Sequence, residues 1–402
     1  MSTHGGFARG LRAAWTVYLK EVRENLRDKR TVLNALITGP LLGPILFGMI
    51  FSFTLQRQLS EADKPLPVPV IGAQHAPNLL HALAAQGLVV EPPPAQGAVA
   101  TIRSHAAKVV LVIPPGYDAA WRKGQPAGVE LYYDSARQDS GTPVRRVKRM
   151  LQVYASTIAA QRLLVRGLAP TLLRPVAAED RDLATPQSRS ALMFSILPYF
   201  FVLTVFLGGM YLAIDTTAGE RERQSLEPLL ANPVGRGMLL AGKLGATVSF
   251  ALISLLLSCI AFAVVGRFLP VEKLDIVLDI GPRFAAWVLL LMAPLALLLA
   301  TLQTLVSAFA KSYREAQTYL SILMLLPVIP SLLLAVMPLQ PRPWMYAVPL
   351  LGQQLGIMDL VRGEGVGLVP LLAVLLGTSL AAVLAFVLTR WLYASERLAV
   401  SA

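Results

Sequence analysis

The sequence predicts an α-helical polytopic membrane protein. It has six transmembrane helices, an amphipathic N-terminal helix, and an α/β domain inserted between the first and second spans. Three observations carry this prediction. Of the 402 residues, 55% are hydrophobic and only 15% are charged, against about 25% charged in an ordinary soluble domain. Six segments are as long as the roughly 20 apolar residues that cross a bilayer core, and none contains Asp, Glu, Lys or Arg. Between the first two lies a stretch of different texture, where short β-branched runs alternate with helical spacing.

The elements follow in order. Residues 1–31 carry Leu11, Trp15, Tyr18, Leu19, Val22 and Leu26 at three- and four-residue spacing, with Lys20, Glu21, Arg23 and Arg27 on the other face and Arg30 just beyond. That pattern suits a helix lying in a membrane interface, with Trp15 and Tyr18 near the headgroups. It is not a secretory signal, because it has neither a short apolar core nor a small-residue cleavage site. The spans are Val32–Thr54, Ala191–Ile214, Leu244–Gly266, Phe284–Ala310, Gln317–Met337 and Val366–Thr389. Pro40, Pro44, Pro198, Pro294, Pro327 and Pro330 mark points where they can kink.

Charge orients the chain. Residues 1–31, 215–243, 311–316 and 390–402 together hold 15 Lys and Arg, whereas the connections 267–283 and 338–365 hold 5. The basic side is cytoplasmic, so both termini are expected inside. Residues 55–190 then form an extracytoplasmic α/β domain. LPVPVIGA, VVLVI and VELYYDS read as strands, and TPVRRVKRMLQVYASTIAAQRLLVRG reads as a helical stalk. Residues 338–365 are apolar but broken by Gly and Pro, as expected of an outer re-entrant gate segment. The net charge of +12 is explained by this distribution and does not imply nucleic-acid binding.

Little here carries catalytic or metal chemistry. The single cysteine, Cys259, lies in an apolar run, and His75, His81 and His105 lack acidic neighbours at metal-ligand spacing. The run GMLLAGK, Gly237–Lys243, imitates the start of a phosphate-binding loop. It follows no buried strand, and Leu244 stands where a magnesium-holding Ser or Thr belongs. No span contains a carboxylate, which argues against proton or ion coupling by a secondary transporter. The polar groups available inside the spans are Thr204, Ser254, Ser258, Gln303, Thr304, Ser307 and Ser321, candidates to line a pathway. For Gln303 a helix–helix hydrogen bond is the preferred reading over a substrate contact. Such a path suits an amphiphile, drug or lipid-linked molecule better than a bare ion, with sodium as the other reading.

Between the second and third spans lies GERERQSLEPLLANPV, Gly219–Val234, followed by Gly242-Lys243. Alternating charges over two helical turns predict pairing between neighbouring turns and a short rigid helix. This block resembles the cytoplasmic signature of ABC exporter permeases of the second type, closest to the branch containing the NatB-type sodium-efflux permeases. The resemblance extends to KEVRENLRDKRT, Lys20–Thr31, similar to that family's elbow helix. It also covers Val110–Tyr117 with Gly124 in the outer domain, and Ala347–Leu351, similar to its outer gate. One departure is Gln224-Ser225, where the family commonly has Gly-Thr.

The resemblance implies that the segment 215–243 is a coupling helix docking on an ATP-binding subunit through Glu220, Arg221, Glu222, Arg223, Ser225, Leu226, Glu227, Leu229 and Leu230. It further implies a pathway formed by two permease chains, as homodimer or heterodimer, in a bacterial inner membrane. A periplasmic partner is a further expectation for the outer domain. ATP and Mg belong to the partner, so this chain is not itself expected to be an enzyme and holds no cofactor or metal. The alternative from another class is a membrane-anchored sensor or scaffold with a ligand-binding outer domain, which has no need of six spans.

Overall fold

The computed structural model describes residues 3–137, 139–173, 176, 179, 181, 185, 194–225, 234–269, 280–337 and 340–394. The chain divides into two compact units, one of residues 54–182 and one of residues 1–53 with 183–402.

The second unit opens on α1 (Thr3–Arg27) and α2 (Lys29–Val32). Asp28 caps α2, its carboxylate accepting from the amides of Arg30 and Thr31. A π-helical segment, Leu33–Thr38, then leads into α3 (Gly39–Asp63).

The unit of residues 54–182 contains β1 (Leu66–Ile71), α4 (Pro77–Ala84), β2 (Leu88–Glu91), α5 (Gly97–Arg103), β3 (Val109–Val112), α6 (Tyr117–Arg122), β4 (Glu130–Tyr133) and α7 (Gly141–Val165). Its four strands run in the order β2-β1-β3-β4, with β1 parallel to β2 and β3, and β4 antiparallel to β3. Pro67 and Pro69 sit inside this sheet although they cannot donate to a ladder. The register explains it: that half of β1 pairs only with β2, and β3 joins at Val70. Val68, Val70, Leu111 and Ile113 meet Leu79 and Leu83 of α4 and Val144, Val147 and Met150 of α7 in one core.

The remaining helices are α8 (Leu197–Ile214), α9 (Glu220–Glu222), α10 (Arg236–Phe268), α11 (Pro282–Phe309), α12 (Tyr313–Leu323), α13 (Val328–Val336), α14 (Pro343–Tyr346), α15 (Leu351–Val361) and α16 (Leu368–Ala394). Six stretches among the described residues are long and apolar enough to cross a membrane: 29–53, 197–222, 236–268, 282–309, 313–334 and 368–392. The most enclosed is α8, which packs on α10 and α11. Its Gly208 makes the close approach possible, since a Cβ there would lie 2.6 Å from the Cβ of Ser254 on α10. The short helices α14 and α15 pack against the bundle, α15 touching α8, α11 and α16.

Three expectations change. The fifth span, expected as one helix over Gln317–Met337, is two helices joined by turns at Met324–Pro327, because Pro327 and Pro330 supply no amide hydrogen to continue the ladder. The third span begins at Arg236 rather than Leu244, placing Lys243 inside a helix. The start expected for the second span, 191–193, lies outside the described residues; α8 begins at Leu197 with Pro198 in its first turn, where a missing amide costs nothing.

Candidate functional site

The charged block after the second span is reached without a break. The last turn of α8 widens into a π-helical turn, Asp215–Gly219, and returns to α-helical geometry in α9. Thr216 and Thr217 are buried there and turn their hydroxyls back onto the carbonyls of Leu212 and Ala213. Consecutive residues on a helix point about 100° apart, so four charges in a row sweep the whole circumference. Each reaches a different part of the bundle.

Glu220, 5% exposed, forms an ion pair with Lys243 of α10 and lies 3.4 Å from Nζ of Lys20 on α1. Lys243, 2% exposed, also donates to the carbonyl of Thr216 at 2.7 Å. Arg221 donates to the carbonyl of Ala308 in the last turn of α11 at 3.4 Å, where helix carbonyls lack partners and favour a cation. Glu222 accepts from the amide of Tyr313, the first residue of α12, at 2.8 Å, the matching arrangement for a carboxylate at a helix N-terminus. Arg223 turns back to Asp215 at 3.0 Å. The alternating signs therefore serve contacts between elements. Among the described residues the pairing expected between turns of the segment itself is kept by Arg223 with Asp215, while Glu220, Arg221 and Glu222 reach other elements.

After Glu222 the helix closes with the two bonds of a Schellman end, Ser225 N–H to the Glu220 carbonyl at 2.9 Å and Gln224 N–H to that of Arg221 at 3.0 Å. This needs a left-handed residue, and Gln224 has φ 56°. It is the position where the family that the segment resembles commonly has glycine. Leu226, Glu227, Leu229 and Leu230 lie outside the described residues.

The apparent phosphate loop resolves into a packing surface. A Cβ at Gly242 would lie 2.6 Å from the Ala14 carbonyl oxygen and 2.8 Å from Cβ of Val17, so glycine there lets α1 lie on α10. Lys243 belongs to the ion pair with Glu220. On α1 the face turned inward is Val17, Glu21 and Asn25, all buried. Trp15, stacked on Tyr18, remains exposed, and the Tyr18 hydroxyl meets that of Ser249 on α10 at 3.2 Å. Arg23, Arg27 and Arg30 are exposed, as the charged face predicts. Glu21 is not. Burial raises its carboxyl above the ordinary range, Lys243 opposes this, and the like charge of Glu220 adds to it. Burial works against the Lys20 ammonium, but Glu21, Glu220 and Glu24 together raise its pKa above the usual value. Asp28 is lowered, chiefly by the hydroxyl of Thr31 that donates to it.

The candidate pathway residues fall almost entirely within the bundle of one chain. Thr204, Ser254, Ser258, Gln303, Thr304 and Ser307 are buried. Thr204 meets Ser258 at 3.4 Å, Ser254 donates to the Ala35 carbonyl at 2.8 Å, and Gln303 donates to the Phe206 carbonyl at 2.8 Å. These three contacts join neighbouring elements within the chain, the reading favoured for Gln303 from the sequence, whereas Ser307 Oγ and Gln303 Oε1 are buried with no partner among the described residues. Ser321 alone of the seven is exposed. Counting carboxylates only within spans missed Asp359 of α15, which is buried and accepts from the Tyr346 hydroxyl at 2.7 Å. Burial raises its carboxyl, against the Tyr346 bond and Arg362. The signal was one acid at the end of the apolar run GQQLGIMDLV. Among the described residues no cluster of three or more His, Cys, Asp or Glu could hold a metal.

A bundle of six candidate spans, with a charged segment at the end of α8 bonded to α1, α10, α11 and α12, is the architecture of a polytopic membrane protein. The chain belongs to the ABC-2 family of transporter proteins, whose family model matches residues 30–390. It is similar to the ABC transporter permease protein NatB of Bacillus subtilis (strain 168), at 26% identity over 321 residues, 78% of this chain and 80% of that protein. No solved structure matches. Membership makes the chain a membrane translocation subunit and implies an ATP-binding partner subunit.

Proposed function

We propose that this chain is the permease of an ATP-driven exporter, that two copies form the pathway, and that Gly219–Val234 docks on the ATP-binding subunit. The observation that carries this reading is the junction at the end of α8, where Glu220, Arg221, Glu222 and Arg223 bond to α10 and α1, α11, α12 and the π-helical turn. A partner that closes on ATP can do work only on something stiff. Displacing this segment moves the cytoplasmic ends of several spans at once.

Glu220 faces inward and anchors the segment, so direct contact with the partner falls to Leu226, Glu227, Leu229 and Leu230. α1 exposes Leu11, Trp15 and Leu26, which supports its lying in the interface as an elbow helix. α12 exposes Gln317, Thr318 and Ser321. Polar side chains at the surface of a span face water or protein rather than lipid, so this stripe is our candidate for the pathway wall between two copies. The α/β unit lies on the extracytoplasmic side of a bacterial inner membrane, both termini are cytoplasmic, and ATP and Mg are bound by the partner. The cargo is an amphiphile, drug or lipid-linked molecule, with sodium as the competing reading.

The test is co-purification with the ATP-binding subunit. Leu226→Asp with Glu227→Arg is expected to abolish it while leaving elution and melting temperature of the chain unchanged. Retained binding by that double variant removes the docking assignment.

A further inference from the structure

Beside the junction is a cavity of about 620 Å³ lined by polar side chains from four segments: Asp28, Arg30, Thr31 and Asn34 at the start of the first span, Tyr211 and Asp215 of the second, Arg223, and Tyr313 and Gln317 of α12. In a chain that is 55% hydrophobic, a cavity with this lining at the end of the spans is a built feature. Both π-helical segments border it, Leu33–Thr38 following the Asp28 cap and Asp215–Gly219 forming its second wall. Such turns recur at functional sites because they redirect side chains that a regular ladder would hide.

The charges are not equally free. Asp28 is spent on the amides of Arg30 and Thr31 and on the Thr31 hydroxyl. Asp215 is spent on Arg223. Among the described residues the side chains of Arg30, Asn34, Tyr211, Tyr313 and Gln317 have no hydrogen-bond partner, so the unspent capacity is one guanidinium, two amides and two phenols. A bare cation finds no uncommitted carboxylate there, whereas an oxyanion finds a fork of donors surrounded by neutral hydrogen-bonding groups. Leu33, Ile37 and Leu41 of the first span and Ile322 of α12 are exposed on the same two elements. They offer an apolar track for a chain attached to that group.

We propose that this cavity receives the anionic headgroup of an amphiphile, phosphate or carboxylate in chemistry, with its tail along the first span and α12. This rests on the exporter reading and selects the amphiphile over sodium as cargo. Because Arg223 belongs both to the cavity wall and to the coupling segment, movement of the segment alters the site directly.

The test uses the full chain in a non-ionic detergent and follows its melting temperature with short-chain phosphatidylglycerol, short-chain phosphatidylcholine or inorganic phosphate. Phosphatidylglycerol is expected to raise it saturably, with midpoints about tenfold weaker for the other two. Arg30→Gln is expected to weaken the phosphatidylglycerol midpoint about tenfold and Gln317→Leu a few-fold, with the unliganded melting temperature unchanged. Equal responses to the two lipids, or a midpoint unmoved in both variants, overturn the proposal. So does an equal response to inorganic phosphate, which makes the site one for a soluble anion. Neither Arg30 nor Gln317 is bonded to the coupling segment among the described residues, so both variants should still co-purify with the ATP-binding subunit. A missing lipid response with co-purification intact removes only this inference. Failure of the parent chain to bind that subunit strikes the exporter reading instead.

Discussion

Glu220 and Lys243 are buried charges that cannot be separated cheaply. Removing one partner of such a pair leaves the other desolvated and costs about 3 to 5 kcal/mol. Replacing both removes the two desolvation penalties together. Glu220→Gln and Lys243→Met should each destabilise the purified chain strongly, and the double variant should recover much of the loss; strict additivity of the two would contradict the ion pair. Glu21 contributes with the opposite dependence from an ordinary salt-bridged acid. Its raised pKa means that the folded state holds the proton more tightly than the unfolded state. The stability it contributes is full below the ordinary carboxylate value and is lost as pH rises through the raised one. Glu21→Gln should therefore flatten the fall in melting temperature as pH rises above the ordinary carboxylate range. An unchanged slope would mean that Glu21 is solvated. Neither role was legible from the residues alone, because a charge at helical spacing reads as solvated until the neighbour that covers it is known.

At the scale of elements, the charged segment after α8 shows how a local rule and a tertiary demand meet. Its Schellman end requires a left-handed residue and finds Gln224, at φ 56°, which an L side chain adopts at a cost of roughly 1 kcal/mol. Gln224→Gly should relieve that cost and slow hydrogen exchange at the Ser225 amide; faster exchange would mean that the turn is held by the glutamine side chain instead. The substitution in this position was visible in the sequence, as a departure from a glycine, but its meaning depends on a backbone angle that no pattern reports. The broken fifth span is the converse case. Pro327 and Pro330 were plain, and so was their capacity to interrupt a helix.

For the whole molecule, orientation is the decisive property. The orientation proposed from loop charge puts the α/β unit outside and the Lys311 turn inside. Ser135 and Lys311 are exposed, and the native Cys259 is buried, so single new cysteines report cleanly. A membrane-impermeant maleimide applied to intact cells should label Ser135→Cys and spare Lys311→Cys until the cells are opened. The reverse pattern would invert the topology and remove the cytoplasmic docking site with it.

Six long charge-free runs, an amphipathic N-terminus and one crowded charged loop were enough to determine the fold class, because hydrophobic length and charge asymmetry act on the chain wherever its parts lie. Three strands of the α/β unit were equally readable from local patterning, whereas β2, Leu88–Glu91, was missed because it has only four residues and follows a helix by one short turn. What the tertiary structure decided was partnership. Lys243 pairs with Glu220 across 23 residues, and Lys20 reaches Glu220 across 200. Gln303 finds the Phe206 carbonyl across 97. A side chain's charge and periodicity are properties of its neighbourhood in sequence, whereas desolvation and ion pairing depend on which distant helix is packed against it.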